Sequence, residues 1–307
     1  MSATTTIEWT DATASPWLGC TKVSEGCADC YLPRQTPLRV HGIKLGAGEP
    51  RHRATSFRIG MVALNNKAVR EGRRIRVFPS LCDWLDPEVP VEWLADFLDL
   101  IRLTPALDWQ LLTKRPQWWG QQMIKAAGYV YAVRSASYLE QAAWITSWCN
   151  GTAPANVWSG WTAENQARMD ERTPHGLKIP ARVRFVSVEP MLGPVDIQHG
   201  MGLDYATNPC FGDGDDIHWV ICGGESGPKA RPMHPDWARS LRDQCAAAGV
   251  PFFFKQWGEW APSDGEKTKG EFHFFRDGQC MERVGKKAAG RLLDGREHNE
   301  FPEVRRG

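Results

Sequence analysis

No stretch of this chain approaches the roughly 20 consecutive apolar residues that cross a bilayer, and the opening MSATTTIEWTDA has no basic segment leading into an apolar run. Neither a membrane span nor a secretory leader is therefore expected. Internal repeats and low-complexity tracts are also missing, which argues against a solenoid or an extended disordered region. The Gly-Lys-Ser/Thr ending of a phosphate-binding P-loop does not occur. Cysteine is not scarce, yet its arrangement excludes a disulfide scaffold: the count is nine, an odd number, and Cys82, Cys149, Cys210, Cys222, Cys245 and Cys280 stand singly. A cytoplasmic protein with reduced thiols is the expectation. At 307 residues the chain is long enough for one large barrel or two ordinary domains.

Carboxylates are nearly absent from one segment. Between Arg34 and Arg76 eleven Lys or Arg face only Glu49 and Glu71, a local balance of +9 that leaves −8 for the rest of a chain whose net charge is +1. Such a segment can follow a phosphate backbone or simply form a solvated face. Tryptophan, by contrast, is abundant at fifteen residues. Trp84, Trp118, Trp119, Trp161 and Trp257 fall near expected strand ends, where an indole can stack on a base.

The remaining three cysteines are the most informative feature. Cys20, Cys27 and Cys30 lie within eleven residues in GCTKVSEGCADCY, with no fourth cysteine nearby. Four thiolates complete an ordinary [4Fe–4S] or structural zinc site, so a compact trio suggests a cluster with one open iron. Three separate thiols, or a zinc site completed by His41 or a distant cysteine, are the alternatives.

Short apolar runs recur with helical patterns between them. Ile75–Pro79, Trp109–Thr113, Val157–Trp161, Val183–Val188, Ile217–Cys222 and Pro251–Lys255 read as buried strands of a parallel sheet. Val91–Leu103 carries an apolar stripe at helical spacing, and a second helix is expected from Pro235 to a stop at Gly249. Residues 117–156 suggest two helices, with Val130–Val133 as a short strand, and the GDGDD stretch within 196–216 suggests an exposed insertion. The economical α/β architecture is a partial or complete (βα) barrel over 1–260, followed by a C-terminal extension or lid over 261–307; an open doubly wound sheet is the rival. In that extension, FHFFRDG and QCMERV suggest a small β segment before a helix.

In parallel barrels the residues just past each strand converge on one rim. Here they include Ser80, Asp83, Thr113, Lys114, Arg115, Glu164, Asn165, Glu189, Gly223, Gly224, Glu225, Lys255 and Gln256. Ser80, Asp83, Glu164, Asn165, Glu189 and Gly223–Glu225 are the candidate cofactor pocket, and Lys114 and Glu225 the candidates for catalysis. Carboxylates at such positions need partners, since burying them alone costs several kcal/mol, and Lys114, Arg115, Lys255 or a ligand amine are the expected ones.

The ordered set IEWTDAT, GCTKVSEGCADCY, LLTKRP, FVSVEPMLGPVD, WVICGGESGPKARPMHPDWARSLRDQCAAAGVPFFFKQWGEW and VGKKAAGRLLDGRE resembles the phage gp-thirty-seven/gp-sixty-eight family, a three-cysteine-motif, radical-SAM-like group, almost from end to end. That resemblance implies a radical-SAM-like (βα) barrel, a [4Fe–4S] cluster on Cys20, Cys27 and Cys30, and S-adenosylmethionine at the open iron. An electron from an external donor would cleave that cofactor to methionine and a deoxyadenosyl radical. The basic segment and the strand-end tryptophans, and not the resemblance, suggest a nucleotide or nucleic acid as the substrate. Two other function classes compete: a zinc-stabilised nucleic-acid-binding protein, and a barrel hydrolase using rim carboxylates with a divalent metal.

Overall fold

Runs of β-branched and aromatic residues form strands, and amphipathic runs form the helices that connect them in parallel. The computed structural model describes residues 5–133, 138–197, 216–265 and 270–303. The chain is a mixed α/β protein of the partial (βα)-barrel class. Its contacts divide it into two units: Met1–Val23, Leu32–Trp161 and Lys178–Val183 form one, and Ser24–Tyr31, Thr162–Leu177 and Arg184–Gly307 the other.

The first unit begins with β1 (Ala12–Thr13), followed by an antiparallel pair of two-residue strands, β2 (Trp17–Leu18) and β3 (His52–Arg53). Helices α1 (Thr36–Val40) and α2 (Phe57–Arg70) precede β4 (Ile75–Phe78), and α3 (Val91–Leu103) precedes β5 (Leu107–Thr113). Two helices, α4 (Trp119–Val133) and α5 (Leu139–Cys149), lead to β6 (Val157–Thr162). The pairs β1–β4, β4–β5 and β5–β6 are all parallel. Alternation along β5 shows why this sheet is buried on both faces. Leu107, Trp109 and Leu111 join the core with Leu94, Leu98 and Ile101 of α3, whereas Asp108 and Gln110 point the other way and are still buried. Asp108 accepts from Arg74, and Gln110 Nε2 donates to the Trp9 carbonyl at 3.2 Å.

The second unit carries α6 (Gln166–Gly176), β7 (Val183–Val188), β8 (Trp219–Gly223), α7 (Pro235–Ala248) and β9 (Phe252–Gln256). Here β7–β8 and β8–β9 are parallel. Helix α7 starts where the His234 side chain accepts from the Asp236 amide and stops at Gly249, which takes φ 68°. A three-stranded antiparallel sheet of β10 (Trp260–Ser263), β11 (Phe272–Phe274) and β12 (Cys280–Arg283) follows, with β12 in the middle, and then the short helix α8 (Lys286–Ala289). The seven parallel strands have the order β1-β4-β5-β6-β7-β8-β9.

Two expectations require correction. Val130–Val133 is the last turn of α4 and not a strand, because Met123, Ala126 and Val130 meet the core at helical spacing. Trp84, Trp161 and Trp257 are not exposed stacking platforms; they are 2%, 0% and 3% exposed. Trp84 stacks on Trp148 with ring planes 7° apart, and Trp257 Nε1 donates to the Leu292 carbonyl at 2.8 Å. Residues 198–215, which hold most of the expected insertion, lie outside the described residues. Among the described residues no helix is long and apolar enough to cross a membrane.

Candidate functional site

The loops after β4 and β5 of the first unit meet at Asp83. Its carboxylate accepts from Thr113 Oγ1 at 2.6 Å, the Leu85 amide at 3.1 Å, the Lys114 amide at 3.0 Å and Arg115 Nη1 at 2.7 Å. Both members of the Asp83–Arg115 pair are buried. Asp83 is thus saturated by its own unit, and Lys114 contributes its backbone to the same knot. The fixed guanidinium reaches Cys20: Arg115 Nη1 lies 3.5 Å from the Cys20 Sγ, and Nη2 donates to the Thr21 carbonyl. A second buried guanidinium secures the adjoining loop, with Arg51 donating to Asp86, Thr21 Oγ1 and the Gly46 carbonyl. Burial and then the nearby Asp83 charge push the Cys20 thiol up to about 12 despite Arg115, so without a metal it keeps its proton at neutral pH. Ser80 follows β4 in this unit.

Cys27 and Cys30 belong to the second unit, where residues 24–31 are held by the loops after β6 and β8. Glu164 is fully buried and ion-paired with Arg172 at 2.7 Å. Its other oxygen accepts from Ser24 Oγ at 2.6 Å, and that hydroxyl lies 3.8 Å from the Cys27 Sγ. Gly26 is required here, because a Cβ on it would overlap the Glu164 carboxylate. Asn165 has two roles: Oδ1 caps α6 by accepting from the Arg168 amide, and Nδ2 donates to Glu25 Oε1 at 2.5 Å. Arg168 grips the same Glu25 and, as the largest influence, holds its carboxyl at about 2. From the β8 loop, Arg231 clasps Glu225 with two N–H groups, at 2.7 and 2.8 Å, and donates to the Glu25 carbonyl at 3.0 Å. Glu164, Asn165 and Glu225 therefore form the support of the cysteine-bearing segment.

Glu189 stands apart from that support. Its Oε1 receives Lys255 Nζ at 2.6 Å, and Gly223 packs against its side chain. At Gly224 a Cβ would overlap the Trp257 carbonyl, so the two glycines allow close packing of strand ends. The residues missing from the sequence-based site are Ser24, Glu25, Arg168, Arg172 and Arg231. Arg168 and Arg172 sit four apart on the helix that Asn165 caps, which is the one signal for them in the sequence.

The basic segment is neutralised in large part. Arg51, Arg53, Arg58, Arg74 and Arg76 pair with Asp86, Asp96, Asp99, Asp108 and Asp11, all carboxylates from outside it. Another cluster, His234, Asp236 and Asp277, has ligand atoms within 4.8 Å of one another. Its histidine is already committed, since Nδ1 accepts from the Asp236 amide and Nε2 meets Asp277 at 2.8 Å. It works as a helix cap tied to the C-terminal sheet.

Gly26→Ala is expected to cost about 1–3 kcal/mol through overpacking against a carboxylate that Arg172 prevents from moving, measured as a lower urea midpoint; an unchanged midpoint would contradict the close approach. Glu25 is held below its usual 4.5, so its contribution to stability is present above pH 4.5 and is lost as pH falls toward about 2. The stability difference between wild type and Glu25→Gln should therefore close over that interval, as read by urea unfolding at a series of pH values. A difference that stays constant with pH would show that the Arg168 contact does not act through the carboxylate charge.

The family described as protein of unknown function (DUF5131) matches residues 4–302. No curated protein and no solved structure matches the chain. The match spans the cysteine run, both carboxylate–guanidinium supports and the C-terminal sheet, and the chain belongs to the DUF5131 family.

Proposed function

We propose that this protein is a radical-SAM-like enzyme whose Cys20, Cys27 and Cys30 hold a [4Fe–4S] cluster with S-adenosylmethionine at its open iron. The observation that carries the reading is the chemistry around the sulfurs: three cysteines within eleven residues, none in a disulfide, with a guanidinium facing Cys20. A donor aimed at sulfur suits a ligand thiolate, whose hydrogen bonds tune a cluster. The residues present fit such a group. When bound, the cluster would supply an electron, received from an external donor, for reductive cleavage of S-adenosylmethionine to a deoxyadenosyl radical.

The protein's own contribution is positional. Asp83 and Arg115 fix the first cysteine, while Glu164, Arg172, Asn165, Arg168 and Arg231 fix the segment bearing the other two. Ser80, Lys114, Glu189, Gly223 and Gly224 remain the proposed contacts to cofactor or substrate, and Glu225 acts through Arg231. A nucleotide or nucleic acid is the substrate class we carry with this reading. Since six arginines of the basic segment, Arg73 with Glu71 among them, already have carboxylate partners, phosphate contacts would fall to cations such as the exposed Arg39, Lys44 and Arg70.

Anaerobic reconstitution should give about four irons and four sulfides per chain, and reduction in the presence of S-adenosylmethionine should release deoxyadenosine. Alanine at Cys20, Cys27 or Cys30 should remove most of the cluster, and alanine at Cys149, Cys245 or Cys280 should leave it. Stoichiometric zinc without sulfide, in protein made under iron-replete anaerobic conditions, would overturn the assignment in favour of a zinc-stabilised binding protein. The substrate class has its own test: affinity for single-stranded DNA or RNA should fall steeply with salt and weaken in Arg39→Glu/Arg70→Glu. Absence of binding at low salt would remove nucleic acid from the proposal and leave the cluster untouched.

A further inference from the structure

The Arg115 guanidinium is almost wholly buried and is fixed at both ends of its fork. Nη1 is shared between Asp83 Oδ2 at 2.7 Å and Cys20 Sγ at 3.5 Å, and Nη2 donates to the Thr21 carbonyl. Its backbone is held as well, with the Arg115 amide donating to Thr113 Oγ1 at 2.9 Å while that hydroxyl donates to Asp83. The sulfur end is equally constrained. Gly46 N donates to the Cys20 carbonyl at 3.2 Å, and Thr21 Oγ1 is held by Arg51 and by Glu88. A side chain serving only to neutralise Asp83 has no need to present an N–H to a cysteine that is itself pinned in place.

We propose that Arg115 is a positioning residue for the Cys20 sulfur, directing an N–H at that sulfur and offsetting the negative charge it carries as a metal ligand. The inference rests on the cluster reading and adds to it the residue that sets the electronic character of one corner. A hydrogen bond and a positive charge at a ligand sulfur draw electron density from the iron and favour the reduced cluster, so they raise its reduction potential. Asp83 has the opposite sign and accepts from the same Nη1. The pair therefore makes two predictions of opposite direction, which a purely structural role does not.

The test is a potentiometric titration of the reconstituted cluster followed by electron paramagnetic resonance, with iron and sulfide counted in each sample. Arg115→Gln should keep the cluster and shift its midpoint potential in the negative direction; Asp83→Asn should shift it in the positive direction. Arg115→Lys, which keeps the charge and loses the fork, should fall between wild type and Arg115→Gln. Because Arg115→Gln alone leaves a buried carboxylate without its cation, Asp83→Asn/Arg115→Gln is compared with Asp83→Asn, and the same negative shift is expected on that neutral background. Equal potentials in those two proteins, each with an intact cluster, would overturn the inference alone. Wild-type protein without iron and sulfide would overturn the cluster reading and the inference with it.

Discussion

Two buried carboxylate–guanidinium pairs carry the arrangement around the cysteines: Asp83 with Arg115 in one unit, and Glu164 with Arg172 in the other. Removing charges from water is expensive, and such a pair is retained at little net gain in stability unless its remaining hydrogen-bonding capacity is also satisfied. Here it is. Asp83 has four donors, and Glu164 has Arg172 on one oxygen and Ser24 on the other. Losing one partner from such a pair costs about 3–5 kcal/mol because a buried charge is left behind. Each pair therefore fixes geometry strongly. One reaches Cys20 through Arg115, and the other reaches the Cys27 segment through Ser24.

The same principle explains the uneven charge distribution along the chain. The cation-rich segment between Arg34 and Arg76 contains two carboxylates, and the fold supplies the rest from Asp11 and from the loops, helix and strand that follow. Asp86, Asp96, Asp99 and Asp108 are spaced through the next stretch of chain and take up Arg51, Arg53, Arg58 and Arg74. Asp99 shows how close this matching is: it lies on α3 with only 7% of its side chain exposed and is shared by Arg58 and Arg102. A segment that resembles a phosphate-binding surface in isolation is, at these positions, one half of a set of intramolecular ion pairs.

Periodicity made most of the fold legible. Six apolar runs became strands with ends displaced by at most two residues, and Val91–Leu103 and Pro235–Ala248 are helices as their spacing and caps imply. The first strand, Ala12–Thr13, was not legible, since two residues carry no period and gain their strand character from pairing with β4. Val130–Val133 misled because β-branched residues in a short window look like a strand, whereas the deciding contacts are made three and four residues back along α4. For the site, the carboxylates were visible as polar positions after strands. Two of their partners were legible as well, since Arg115 and Lys255 stand on the same rim and pair with Asp83 and Glu189; Ser24 was not, because its contact with Glu164 joins residues 140 positions apart and no local pattern encodes it. Gly26 is similar: its need is set by a carboxylate from a distant loop.

The proposed cysteine-bound cluster with one iron open to S-adenosylmethionine is tested by the electron paramagnetic resonance spectrum of the reduced, reconstituted protein before and after that cofactor is added. The expected signal is that of a reduced [4Fe–4S] cluster whose g-values change on addition of S-adenosylmethionine and do not change on addition of adenosine alone. A cluster spectrum indifferent to S-adenosylmethionine, or a protein that carries no paramagnetic cluster after reconstitution, would contradict it.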